Sequence, residues 1–287
     1  MKNNIKLLRQ KSIDFIHSKW ASDCVGNNEL DIDTNNFEKI ANIVFSDITK
    51  DKKPTKKPFL FRVGGQSGSG KTTQLMPAIK SIIDEENKDF ANIAVRTFAK
   101  YHPYYNQLLE EFGEGMIREK TNGFALMMLF RIMEKLLENK YNILLEVTIL
   151  DGNFEKYLAE LAKKNQYNVH FHILSVPREK SDYWIEKRKN NSKTEGKRIV
   201  LKSSSNYFYD VLPESLKKII GFSFWNKNDK IFLWTGFNLK PVFGSKINSA
   251  KSFMDTFFKY RNLINFEEVN EEELLKSKIK WFNEYYG

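Results

Sequence analysis

The stretch GGQSGSGKTTQ, residues 64–74, sets Gly64, Gly65, Gly68 and Gly70 around Gln66, Ser67 and Ser69, and closes on Lys71, Thr72 and Thr73. Residues 65–72 match G-x-x-x-x-G-K-[ST]. Glycines reach backbone angles that other residues resist, so successive N–H groups can converge on an anion. A helix starting directly after such a loop adds partial positive charge. Lys71 is then placed to reach the β- and γ-phosphates of a nucleotide, and the Thr72 hydroxyl to ligate Mg²⁺. The expected ligands are ATP and Mg²⁺, with residues 65–73 as the binding loop. Motors, switches and kinases share such a loop. A switch GTPase also needs a base-reading N-K-x-D segment, and NKND at 226–229 is discounted as one. The carboxylate ending ILLE, 143–146, is one that a motor could use to fix magnesium.

A loop of this kind must be held between a strand and a helix, and the pattern supplies both. FLFRVGG, 59–65, reads as a short buried strand, and 71–86 as a helix with Leu75, Ile79, Ile82 and Ile83 on one side. Further strands are expected at 90–98, 141–148, 167–176 and 230–236. Helices are expected at 121–140, with Thr121 as its cap and Arg131, Glu134, Lys135 and Glu138 as its wet face, and at 154–166. Strands alternating with helices predict an α/β fold, a mostly parallel sheet flanked by helices. Ligands on such sheets sit at the carboxyl ends of the strands, where 65–72, Arg96 and Glu146–Thr148 fall. The expected division is an N-terminal helical extension and linker over 1–56, a kinase-like domain over 57–236 and an irregular C-terminal extension over 237–287 that ends in a helix.

Composition narrows the classes. The chain has 287 residues and a formal charge of +10. The charge suits an anionic partner or simply a lysine-rich surface. EKRKNNSKTEGKRIVLK, 186–202, is dense enough in cations for a local anion site, but it lacks the interleaved aromatics that nucleic-acid binding calls for. No run of about 18 apolar residues suggests a membrane span, and the N-terminus does not read as a secretory leader. Cys24 is the single cysteine, which points to a reducing cytoplasm. His170 and His172 share a strand face at metal-binding spacing, but no third ligand is evident.

The ordered segments together resemble the zeta toxins, small P-loop kinases. The resemblance runs from about Lys57 to Pro213. It is carried by KPFLFRVGGQSGSGKTT (57–73), TFAKYHPYY (97–105), YNILLEVT (141–148), VPREKSDYWIEKR (176–188) and Arg198, fifteen residues before Pro213. It implies phosphorylation of a hydroxyl of UDP-N-acetylglucosamine with ATP and Mg²⁺, and a small antitoxin that blocks the ATP site. It further implies Lys71 and Thr72 on the phosphates and metal, and Arg188 and Arg198 as clamps on the transferring phosphoryl group. Glu146, Thr148 and His102 become acceptor-side candidates.

The chain also departs from that pattern. The family places an aspartate, its general base, six residues before the HP histidine, and here that residue is Arg96. Leu150 and Phe130 stand where the family has an arginine and a glutamate. An arginine stays protonated and cannot serve as base. Three outcomes remain open: a different acceptor, with Arg96 facing an anion and Asp151 or Glu146 as base; a slow enzyme; or an ATP-binding protein that acts through binding alone.

Overall fold

The computed structural model describes residues 34–85, 89–148, 152–195, 202–238, 240–250, 252–263 and 270–286. Six strands form one sheet: β1 (Phe59–Gly65), β2 (Phe90–Ala94), β3 (Asn142–Glu146), β4 (Asn168–Leu174), β5 (Lys230–Trp234) and β6 (Phe243–Lys246). Their order is β2-β3-β1-β4-β5-β6. All neighbours run parallel except β5 and β6. The loop-bearing strand β1 is therefore central and buried on both faces, which explains its apolar run.

Alternate residues of the strands feed two cores. Leu60, Ile143, Leu145, Val169, Phe171, Ile231 and Leu233 pack into the larger one, beneath helices α1 (Thr34–Thr49), α3 (Tyr105–Glu138), α4 (Gly152–Lys164), α6 (Lys202–Gly221) and α7 (Phe253–Arg261). Phe61, Val63, Leu144, Leu174, Phe232 and Trp234 face the other way, toward α2 (Met76–Glu85) and α8 (Glu271–Tyr286). Glu146 has the parity of Leu144 and so projects on the α2 side.

Several expectations need correcting. The strand expected at 90–98 ends at Ala94, and Val95–Phe98 is a helical turn. Its β-branched and aromatic residues Val95, Thr97 and Phe98 suit a strand, but Thr97 Oγ1 donates to Ala94 O at 2.7 Å and closes the turn. The helix expected at 121–140 starts earlier: the helical span Tyr105–Glu138 is two helices that meet at a kink at Gly113, whose φ 72° and ψ 172° are not helical. Thr121 is thus interior, not a cap, and its hydroxyl donates to Ile117 O at 2.8 Å. Of its expected wet face Glu138 is exposed, but Arg131, Glu134 and Lys135 are half-buried: Arg131 pairs with Glu38 of α1, and Tyr157 of α4 donates to Glu134. The terminal helix starts at Glu271, and the helix after the loop is preceded by a wider π turn, Lys71–Leu75.

One buried ion pair fixes the loops around β1. Arg62, 1% exposed, pairs with Glu155 at the start of α4 and donates to Val63 O at 2.9 Å and to Val147 O just past β3. On the other face, Tyr286 lies between two histidines, with its hydroxyl 2.8 Å from His170 Nδ1 and 3.2 Å from His172 Nε2. Trp234 Nε1 donates to His172 Nδ1 at 3.2 Å. The histidine pair therefore anchors α8 to the sheet, and among the described residues no cluster of three His, Cys, Asp or Glu could hold a metal. NKND is a structural turn: the buried Asp229 carboxylate accepts from Lys163 Nζ and from the Asn226 and Val169 N–H groups. Among the described residues no helix is long and apolar enough to cross a membrane.

Candidate active site

The loop leaves β1 through a turn that only glycine fits. Gly65 has φ 140°, and a Cβ there would lie 2.2 Å from Leu174 O. Gly68 has φ 71°, and its Cβ would lie 2.4 Å from Ser181 O. Helix α5 (Arg178–Glu195) thus sits directly against the loop. Ser181 Oγ donates to Ser67 O at 2.5 Å, and Gln66 Nε2 to Val176 O at 2.5 Å. These two bonds take up carbonyl and amide groups on the outside of the loop. Gly70, at φ 97°, turns the chain into the Lys71 helix, whose N-terminus faces the same concavity.

Lys71 Nζ arches over the loop and donates to Gln66 O at 2.6 Å and Gly65 O at 3.0 Å. Ser69 Oγ, Gln66 Oε1 and Gln74 Oε1 are buried around the loop without a hydrogen-bond partner. A cradle that a Cβ would fill, an ammonium group above it and the buried Ser69 hydroxyl fit a polyphosphate. Thr73 is more peripheral, its hydroxyl exposed at 3.5 Å from Gly70 O.

Thr72 joins the loop to the acceptor side. Its hydroxyl donates to Glu146 Oε1 at 2.5 Å, while Glu146 Oε2 accepts from Arg96 Nη2 at 3.1 Å. The register explains the meeting: Val63 of β1 pairs with Glu146, and Ala94 of β2 pairs with Glu146 from the other side. Arg96 follows two residues later on the turn. The carboxylate side chain is 6% exposed and the guanidinium 48%. Thr72 and Glu146 present the hard oxygens that suit Mg²⁺.

A cavity of about 210 Å³ opens beside this carboxylate. Met76, Pro77 and Ala94 supply its apolar wall. Thr72, Lys80, Asn92, Arg96, Thr97 and Glu146 supply its polar one. Lys80 and Asn92 were not expected from the sequence; Lys80 stands one helical turn after Met76 on α2, and Asn92 is the single exposed residue of β2.

The remaining candidates are placed as follows. His102 is buried away from the cavity lining, its Nδ1 accepting from the Tyr104 N–H at 3.2 Å and its ring edge-on to Phe124. Thr148 is half-buried, two residues beyond Glu146. Phe130 is core, edge-on to Phe154. Arg188 belongs to α5, but its side chain lies outside the described residues, as do Asp151, Leu150 and Arg198 altogether.

Comparison with known proteins agrees with the architecture. The family model described as Zeta toxin matches residues 45–232. Toxin PezT of Streptococcus pneumoniae is 33% identical over 138 residues, 47% of this chain and 51% of that protein. Toxin zeta of Streptococcus pyogenes is 26% identical over 145 residues, 50% of this chain and 48% of that protein. The chain spans about half the length of these curated relatives. Among solved structures, a chain from the PezAT chromosomal toxin–antitoxin system of S. pneumoniae superposes with a TM-score of 0.67 at 23% identity, covering 90% of this chain and 98% of that one. The P-loop kinase-like α/β fold follows from that likeness.

Proposed function

The chain belongs to the zeta toxin family, and on that premise we propose that it is a toxin kinase. In this reading it moves the γ-phosphate of ATP to a hydroxyl of a small acceptor, with UDP-N-acetylglucosamine or a related sugar nucleotide as the leading candidate. The observation that carries the proposal is the contact between Thr72 and Glu146, which joins the glycine-rich loop to a carboxylate that lines the neighbouring cavity.

The chain's own residues divide the work. Backbone amides of 65–72 and Lys71 hold the β- and γ-phosphates. Thr72 holds Mg²⁺, which neutralises charge on the phosphates. Phosphoryl transfer is mostly positioning and charge neutralisation, so further cations close to the loop aid it. Arg188 and Arg198 take that role by resemblance, and α5 brings position 188 onto the element that already braces Ser67. Glu146 and Thr148 orient the acceptor. Residues 57–236 form the working domain, with 1–56 and 237–287 as its extensions. The naming of the PezAT system as toxin–antitoxin supports an antitoxin protein as partner, and the single cysteine supports a cytoplasmic site of action.

Incubation with γ-labelled ATP, Mg²⁺ and a panel of sugar nucleotides, read by mass spectrometry, tests the proposal. A product heavier by one phosphoryl group, absent with Lys71→Ala, is expected. Transfer that survives Lys71→Ala contradicts it. One observation favours a second reading, an ATP-binding protein without turnover: Arg96 occupies the family's aspartate position and is tied to Glu146. Kinase activity that appears only in Arg96→Asp would support that reading.

A further inference from the structure

The cavity beside Thr72 is charged in a way that bears on what enters it. Its wall carries two cations, Arg96 and Lys80, and one carboxylate, Glu146. That carboxylate is committed twice, one oxygen taking the Thr72 hydroxyl and the other the Arg96 guanidinium. Arg96 is nevertheless 48% exposed, because it stands on the Val95–Phe98 turn rather than on the strand. The Thr97 hydroxyl locks that turn onto Ala94 O. A guanidinium has five donors in a planar fork, and one contact to Glu146 leaves most of the fork for a second anion. Lys80 lines the same cavity from α2, and Met76, Pro77 and Ala94 close the apolar side. At about 210 Å³ the space suits a group no larger than a single sugar or a small phosphorylated alcohol.

We infer that this cavity selects an acceptor moiety carrying its own anionic group, a phosphate or a carboxylate, bound between Arg96 and Lys80, and that Arg96 is the residue that sets this specificity. The inference rests on the reading of the cavity as the acceptor site. A neutral acceptor offers the guanidinium only neutral oxygens, whereas an anion adds charge-assisted bonds to it. Charge-assisted contacts of this kind discriminate by about tenfold or more.

The test is calorimetry on the full chain saturated with the non-hydrolysable analogue AMP-PNP and Mg²⁺, so that the loop is filled. Two matched pairs are titrated: N-acetylglucosamine 1-phosphate against N-acetylglucosamine, and glycerol 3-phosphate against glycerol. The phosphorylated member of at least one pair is expected to bind about tenfold or more tighter than its neutral partner. Arg96→Gln should collapse that preference to within about twofold. Lys80→Gln should narrow the preference by a smaller factor. Absence of a preference in both pairs, including absence of any binding, overturns the inference, as does a preference that persists in Arg96→Gln. Failure of AMP-PNP itself to bind would instead strike the kinase reading, so the two failures are distinguishable.

Discussion

At the residue scale the account turns on a few atoms. Gly68→Ala places a Cβ 2.4 Å from Ser181 O at a φ of 71°. The conformational part alone costs about 1–2 kcal/mol, and the loop must also move off α5. Thermal unfolding should show this loss, and ATP affinity should fall by more than about tenfold. An unchanged affinity would mean that the loop shape does not matter for nucleotide. The residues of this loop were legible because each has a chemical reason to be where it is. Arg96 was legible only as a departure, since nothing in VRTF says that the chain leaves the strand at Val95. Lys80 and Asn92 were not legible as site residues, because a single lysine on a helix or asparagine in a strand has many uses, and only the sheet order brings them to one cavity.

At the element scale two buried polar devices hold the site together. Arg62 and Glu155 are each 1% exposed, so Glu155→Ala leaves an uncompensated guanidinium beneath the β3 exit. A loss of about 3–5 kcal/mol in denaturant unfolding is expected, largely recovered when Arg62→Met is added. If the single variant is as stable as its parent, the pair is not a structural clamp. The second device is the pair of histidines under α8. Burial holds His170 down at about 4, against a weaker opposing bond to Asn228 O, and holds His172 well below the ordinary imidazole value, with His170 as a second cause. The unfolded chain takes up these protons below about pH 6.5 while the folded chain refuses them. Stability from the neutral pair is therefore whole above about pH 6.5 and is lost as the pH falls toward 4. For His170 alone the loss is roughly 3 kcal/mol. Unfolding measured across that range should show it, and Tyr286→Phe should cost about 1 kcal/mol more at neutral pH by removing the hydroxyl between the rings. A flat profile from pH 7 to 4 would contradict the buried-neutral assignment. Central strands such as FLFRVGG and NILLE were readable from their mostly apolar runs. The length of α3 was not, because its first turns, with Gly113 and many polar residues, carry no apolar period.

At the scale of the whole molecule, the sheet is a platform with one functional end. β1, β2 and β3 end side by side, and their last residues bring a phosphate loop, a guanidinium and a carboxylate together. α8 covers the opposite part of the same face, stacking Phe282 on Trp234 at 5.2 Å and filling the space beside Phe61 and Phe232. Deleting residues 271–287 should therefore expose a continuous aromatic surface and yield a chain that aggregates or unfolds without cooperativity, checked by light scattering and thermal unfolding. A monomeric chain with the parent's melting temperature would show that α8 is dispensable. The parallel topology was readable from the alternation of strands and helices, whereas antiparallel β6 was not, since FGSK is too short and polar to signal a strand.

If the loop at 64–74 grips a nucleoside triphosphate, titration of the full chain with ATP and Mg²⁺ in a calorimeter will register it. One site per chain is expected, with affinity reduced at least about tenfold by Lys71→Ala. No heat of binding, or the same affinity in Lys71→Ala, would contradict it.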